Sequence, residues 1–163
     1  MKNTKKDIIL GIDPGYAIVG WSFLEKEGSH LNLLRYGCIT TPKEMPHAER
    51  LAHVFNDLNF LIEEMKPTIA SIEELFFSKN VTTAIKVAES RGVILTSFIL
   101  HHLPIYEFTP LQIKQALTGY GRADKNQIQQ MVKTVLKLKE IPKPDDAADA
   151  IAVAITYANN IRL

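Results

Sequence analysis

The chain has 163 residues, 46% of them hydrophobic and 23% charged, which is typical of a globular domain of ordinary size. The sequence has no apolar run of membrane-spanning length and no signal-peptide core, so we expect a cytoplasmic protein with no membrane contact. Cys38 is the only cysteine, which excludes an internal disulfide and a thiolate metal cluster. We expect residues 1–163 to form a single domain.

Charge is unevenly distributed along the chain, although the net charge is only +1. Residues 1–75 hold 8 Lys and Arg against 11 Asp and Glu, whereas residues 76–163 hold 11 against 7. Three acids of the second half are Asp145, Asp146 and Asp149, so the rest of that half is distinctly basic. This pattern indicates an anionic site surrounded by cations.

Three short strands are predicted at the start of the chain. Residues 8–12 form an apolar run that is too brief for a helix, and Asp13 ends it just before a Pro-Gly turn. Residues 17–24 and 31–40 follow as two further strands, which predicts an antiparallel meander. One interpretation is that Asp13 is an ordinary turn residue with no further role. A carboxylate at the end of a core strand is nevertheless costly to bury unless a metal or a base neutralises it.

Two amphipathic helices are predicted in the middle of the chain. Apolar residues recur at helical spacing over residues 51–65, with Arg50 on the polar face. Over residues 81–100 the apolar arc covers about half of the circumference, which is more than one packing partner needs. We therefore expect the second helix either to lie deep in the domain or to meet a second subunit in a homodimer.

A fourth strand, residues 68–72, separates these helices and ends in two adjacent glutamates. Because strand side chains alternate between faces, only one of the two can face Asp13, and the pattern favours Glu73 over Glu74. Phe76 and Phe77 follow in a predicted loop, where exposed aromatic side chains are unusual.

The remaining elements are a strand over residues 104–109 and three helices. Asp124 and Gln127 form a capping-box pattern at the start of the second of these helices. The last helix is predicted to begin with Asp145 as its N-cap, and its alanine-rich sequence is apolar almost all round, so it must be buried. The order β β β α β α β α α α predicts an α/β domain with a mixed sheet.

Four acids are predicted at element ends: Asp13, Glu73, Asp146 and Asp149. Asp146 and Asp149 lie three residues apart on one helix face. If the four acids converge, their mutual repulsion would be removed by bound divalent cations, and oxygen ligands favour Mg²⁺ or Mn²⁺. Two such ions ~4 Å apart could clamp a phosphodiester. The alternative is that these acids only cap the helix and end the strands in solvent.

Five segments together resemble the RuvC family of Holliday-junction resolvases. They are IILGIDPGYAIVGWS, IEELFFSKN, SRGV, GYGRADKNQIQQMV and DDAADAIAVAIT. The resemblance implies an RNase H-like fold with a mixed five-stranded sheet flanked by helices. It also implies a homodimer that makes paired, Mg²⁺-dependent nicks in four-way DNA junctions during recombination and repair. A branch-migration motor would be its partner.

The resemblance assigns roles to residues by their place in these segments. The metal-binding and catalytic acids are Asp13, Glu73, Asp146 and Asp149, with Lys125 as a further catalytic residue. The DNA-binding candidates are Phe76, Phe77, Lys79, Lys114, Arg122 and Lys125. Stacking of Phe76 on an unpaired base would contribute roughly 1–3 kcal/mol, and lysines beside the phosphates could neutralise transition-state charge.

Other functions are compatible with parts of the pattern. An RNase H-like nuclease could act on a different substrate, such as structured RNA. Actin-like ATPases open with a related strand, acid and glycine turn, but they need a second phosphate loop and an adenosine site that this sequence lacks. A junction-binding module without catalysis would not need the intact set of acids.

Overall fold

The computed structural model describes residues 6–75 and 81–160. Within these ranges the strands are β1 (Lys6–Asp13), β2 (Ile18–Glu27), β3 (His30–Thr40), β4 (Ile69–Glu73) and β5 (Ile105–Phe108). The helices are α1 (His47–Met65), α2 (Val81–Leu100), α3 (Pro110–Thr118), α4 (Lys125–Val135) and α5 (Asp145–Asn160). The predicted order of elements and the predicted mixed sheet are confirmed. No helix in the described ranges is long and apolar enough to cross a membrane.

The five strands form one sheet in the order β3-β2-β1-β4-β5. The first three strands are antiparallel neighbours, as the meander predicts. β1, β4 and β5 run parallel to one another, so their carboxyl ends lie at the same edge of the sheet. This edge brings together the ends of β1 and β4, which carry Asp13 and Glu73.

Helices cover both faces of the sheet. Ile9 points to one face and packs with α3, α4 and α5, whereas the next residue, Leu10, points to the other face and packs with α1 and α2. Both side chains are completely buried, as expected for the alternating side chains of a central strand.

Glycines let α5 lie directly on the strands. A Cβ atom at Gly11 of β1 would lie 2.3 Å from the carbonyl oxygen of Ala150, and one at Gly20 of β2 would lie 2.0 Å from that of Asp146. Both positions therefore need glycine because the helix backbone approaches the sheet so closely. The start of α5, with its acids, is held against the strand that neighbours Asp13.

Two sequence predictions about helix residues are wrong. Arg50 is buried and not on a solvated face, because it donates a 3.0 Å hydrogen bond to the carbonyl oxygen of Thr41 and lies 5.1 Å from the centre of the Tyr16 ring. Asp145 is the first residue of α5 and not its N-cap. The carbonyl oxygen of Pro144 accepts the first helical hydrogen bonds instead. The capping box of Asp124 and Gln127 is confirmed.

The apolar arc of α2 is divided between core and surface. Ile94 and Phe98 are completely buried, whereas Val81, Ile85 and Ile99 are each more than half exposed. Of the two predicted alternatives, a position deep in the domain holds for the inner stripe, whereas the outer stripe is largely exposed among the described residues of the single chain.

Candidate active site

Asp13 and Glu73 are adjacent at the carboxyl ends of β1 and β4. Ile12 pairs with Ile72 across the two parallel strands, so the next residues of the two strands are neighbours. Their carboxyl groups are close enough for one of them, when protonated, to donate a hydrogen bond to the other. Glu74, by contrast, is exposed. Of the two adjacent glutamates, Glu73 is thus the one beside Asp13.

The pKa of Asp13 is raised to about 8, first by burial, then by the negative charge of Glu73, and then by the charges of Asp149 and Asp146. Burial also raises the pKa of Glu73, although the nearby positive charge of Lys114 opposes this shift. The four acids predicted from sequence therefore act on one another electrostatically. The raised pKa values show that the negative charges of Asp13 and Glu73 have too little positive charge nearby to neutralise them.

Asp146 and Asp149 lie three residues apart on the first turns of α5. Burial raises the pKa of Asp149, but Lys125 opposes the shift through a contact of 3.2 Å between its Nζ and Oδ2 of Asp149. Lys125 also lies 3.5 Å from Oδ2 of Asp145. The ammonium group of Lys125, the first residue of α4, thus partly neutralises the acids at the start of α5.

Two buried serines fix where α5 sits on the sheet. The hydroxyl of Ser22 on β2 donates to the carbonyl oxygen of Ala150, and that of Ser71 on β4 donates to the carbonyl oxygen of Val153, both at 3.0 Å. Both serines are fully buried. Because the acceptors lie beside Asp149 and one turn further on, these bonds define the depth and rotation of the helix that carries the acids.

A cleft of about 220 Å³ opens beside the acids. Two acids, Glu73 and Asp149, and two lysines, Lys114 of α3 and Lys125 of α4, line this cleft. Arg122, which was predicted to contact DNA, is exposed in the loop before α4 and is not among the described residues that line the cleft. Phe76, Phe77 and Lys79 lie outside the described residues.

The donor set fits a hard divalent cation, because it consists of carboxylate oxygens whose negative charge raises the pKa of Asp13. In the described part of the chain, however, no three acid, histidine or cysteine side chains are grouped closely enough to hold one ion. Asp149 is directed to Lys125 and Asp13 to Glu73. The acids therefore share one region but do not adopt a coordination geometry.

Cys38 is a neighbour of the site that the sequence did not indicate. Across the sheet, Asp13 pairs with Gly20 and Gly20 pairs with Cys38, so the cysteine lies in the same row as the acid. Burial and then the charge of Asp146 raise the pKa of its thiol to about 11. No motif could reveal this, because only the strand register places Cys38 there.

The strand order, the helices on both faces and the acids at the edge of the parallel strands define an RNase H-like fold with a carboxylate site. The model of the family described as "Crossover junction endodeoxyribonuclease RuvC" matches residues 9–157.

Proteins of that name are similar over almost the whole chain. One from Desulfitobacterium hafniense is 52% identical over 156 residues, which cover 96% of this chain and 94% of that protein. One from Finegoldia magna is 54% identical over 149 residues, or 91% of each. The solved structure of T. thermophilus RuvC in complex with Holliday junction substrate is 32% identical with a TM-score of 0.88, and the match covers 94% of this chain and 93% of that one.

The chain therefore belongs to the RuvC family of crossover junction endodeoxyribonucleases. The predicted resemblance is confirmed, and membership of the family implies a nuclease that depends on a divalent metal.

Proposed function

We propose that this protein is an endonuclease that resolves four-way DNA junctions by paired symmetric nicks in homologous recombination and DNA repair. The observation that carries the proposal is that four carboxylates lie near enough to act on one another, beside a cleft that Glu73 and Asp149 line together with Lys114 and Lys125. Carboxylates that repel one another can hold cations, and lysines can hold phosphate. Together they suit hydrolysis of a phosphodiester bond.

Asp13, Glu73, Asp146 and Asp149 are proposed as the metal ligands. Mg²⁺ is the proposed cofactor, with two ions in each site and Mn²⁺ as a substitute, because all the donors are hard carboxylate oxygens. When bound, the ions would supply an activated water and stabilise the leaving oxygen. The contribution of the chain is to hold the carboxylates at the ends of rigid elements, where small side-chain rotations can bring them together.

Lys125 and Lys114 are proposed to act on the phosphate. Both line the cleft together with Glu73 and Asp149, and the Lys125 side chain is half exposed, so it can leave Asp149 when the acid takes a metal. Lys125 is then free to stabilise negative charge on the reacting phosphate. We assign it a catalytic role and assign Lys114 a role in DNA binding.

Further contacts to the junction are proposed from the sequence. Phe76 and Phe77 would stack on bases that are unpaired at the junction centre. Lys79 and Arg122 would contact phosphates, which position the DNA without reading its sequence. The single nuclease domain would act in the cytoplasm together with a branch-migration motor complex.

We propose a homodimer formed through the outer stripe of α2. Val81, Ile85 and Ile99 expose 69%, 55% and 64% of their surfaces, and a helix with such a stripe is expected to pack against a partner. Ile85→Glu should yield a folded monomer in analytical ultracentrifugation. Ile94→Glu is the contrasting variant, since Ile94 is completely buried and the charge should unfold the chain. A fully dimeric Ile85→Glu variant would contradict this interface.

The test of function is a cleavage assay with a mobile four-way junction beside linear duplex, an RNA–DNA hybrid, a structured RNA and ATP. We expect nicks in opposed strands of the junction that need Mg²⁺, and little action on the other substrates. An Asp13→Asn variant is the negative control for a contaminating nuclease. Preferential cleavage of the structured RNA or of the hybrid would favour the alternative nuclease function, and ATP hydrolysis without nicking would overturn both.

A further inference from the structure

The SRGV segment lies in the middle of α2 and has no place in the site described above. Its first residue, Ser90, is completely buried, and its hydroxyl donates a 2.6 Å hydrogen bond to the carbonyl oxygen of Gly15. Gly15 belongs to the turn that directly follows Asp13, and a Cβ atom there would lie 2.0 Å from the carbonyl oxygen of Ile18. Ser90 thus holds a turn in which a side chain at position 15 would have no room.

Arg91, the next residue, reaches the end of the other acidic strand. Its Nε donates to the main-chain carbonyl oxygen of Glu73 at 3.4 Å, and its Nη2 donates to the carboxylate of Glu107. Glu107 lies on β5 opposite Ile72 of β4. The guanidinium therefore spans the ends of two parallel strands, and its side chain is 14% exposed.

These two contacts come from consecutive residues of one helix. α2 packs on the face of the sheet opposite to α5. The ends of β1 and β4 are therefore held by α2 on one face and covered by α5 on the other. The helix backbone fixes how far apart Ser90 and Arg91 are. It thereby fixes how far apart the main chain at Gly15 and the main chain at Glu73 can be.

We propose that Ser90 and Arg91 are positioning residues that set the separation of Asp13 and Glu73 and thereby the affinity of the site for a divalent cation. The inference rests on the proposed metal site. Neither residue touches the cation or the DNA in this role. They act in the way that residues around metal ligands orient those ligands in other metalloproteins, where substitution typically weakens metal binding.

The experiment compares Ser90→Ala, Arg91→Lys and Glu107→Gln with two matched controls. Ser97→Ala removes an equally buried hydroxyl of the same helix that bonds only to the carbonyl oxygen of Val93 among the described residues. Arg35→Lys alters an arginine whose pair with Glu64 lies away from the cleft. Mn²⁺ affinity of the whole protein without DNA is measured by electron paramagnetic resonance of the free ion. Thermal unfolding and junction affinity in metal-free buffer are measured in parallel.

We expect Ser90→Ala and Arg91→Lys to raise the dissociation constant for Mn²⁺ about tenfold or more, as for substitutions around other metal ligands. Lys keeps the charge of Arg91 but cannot bridge two acceptors in fixed geometry, so charge alone should not rescue the site. Glu107→Gln, at a half-exposed position, should cause a smaller loss in the same direction without unfolding. Junction affinity without metal should stay within twofold of the parent.

A purely structural role predicts a different result. Ser90→Ala would then lower the melting temperature as Ser97→Ala does, and all variants would keep the Mn²⁺ affinity of the parent within twofold, which would overturn the proposal. The proposed metal site is tested separately by Asp13→Asn. If this substitution leaves Mn²⁺ affinity unchanged, the metal site itself is wrong, and the positioning role fails with it.

Discussion

The two pairs of acids in the site are held by different parts of the fold. Asp13 and Glu73 end neighbouring strands, and each acts on the pKa of the other. Asp146 and Asp149 begin a helix, and a lysine lies 3.2 Å from Asp149. Burial and like charges raise the pKa of Asp13 to about 8, whereas Lys125 opposes the rise in the pKa of Asp149.

This difference indicates that the strand pair is neutralised less than the helix pair, because Lys114 acts on Glu73 only through its charge, whereas the ammonium of Lys125 contacts Asp149 directly. Binding of a metal to the strand pair would remove repulsion directly. Binding to the helix pair would also require Lys125 to leave Asp149. Release of this lysine from the acid would then coincide with its availability to the phosphate, which links metal loading to the catalytic cation.

The largest expected effect is the loss of nicking in Asp146→Asn and in Asp149→Asn. Either change removes a proposed metal ligand and also one negative charge close to the DNA phosphates. Junction affinity in metal-free buffer should therefore be unchanged or higher, which a gel-shift titration beside a nicking assay will show. Nicking at close to the parent rate by either variant would exclude the helix pair from the site.

Glu73→Gln should likewise abolish Mg²⁺-dependent nicking, because Glu73 is the partner of Asp13 within the strand pair. Glu74→Gln is the matched control, since Glu74 is the adjacent residue and is exposed. It should alter the single-turnover rate several-fold at most. An inactive Glu74→Gln beside an active Glu73→Gln would show that the ligand is on the opposite face of the strand.

Lys125→Met should reduce the single-turnover nicking rate about 10²-fold, the range found when one preorganised hydrogen-bond donor to the transition state is removed. Because the lysine no longer competes for Asp149, the affinity for the metal should rise or stay the same. Lys143→Met is a matched control, as Lys143 pairs only with Asp145 among the described residues. A weaker metal affinity in Lys125→Met would contradict the competition between the lysine and the metal.

The smallest effect concerns the stability of the metal-free protein. The pKa of Asp13 in the folded protein, about 8, lies above its ordinary value of 3.8, so folding favours the protonated acid. The free energy of unfolding should fall as the pH rises from 4 to 8. At pH 8, Asp13→Asn should therefore stabilise the protein by about 1–3 kcal/mol, measured by urea unfolding in EDTA.

The stability of Asp149→Asn is measured under the same conditions. It should stabilise the protein less, by under about 1 kcal/mol, because it also removes the partner of Lys125. Added Mg²⁺ should stabilise the parent and reverse the advantage of Asp13→Asn. Equal gains from the two substitutions would mean that the strand pair and the helix pair are neutralised alike.

Local patterns in the sequence determined much of this protein. The spacing of apolar residues, together with the prolines and glycines that interrupt it, predicted the strands, the helices and the acids at their ends. Burial of one face imposes a period of 2 residues on a strand and 3.6 on a helix. Alternation of strand side chains selected Glu73 over Glu74 as the residue facing Asp13. The alanine-rich sequence of α5 predicted its burial, and collinear motifs indicated the family.

Features that depend on contacts between different segments of the chain could be seen only in the tertiary structure. Arg50 is polar and was placed on a solvated face, but it is buried against a main-chain acceptor, the carbonyl oxygen of Thr41, and against the ring of Tyr16. Cys38 reaches the site through the register of three strands. Ser90 and Arg91 carry no local signal of their contacts with the two acidic strand ends. In each case the partners belong to different segments of the chain, and no periodicity along one segment encodes such pairings.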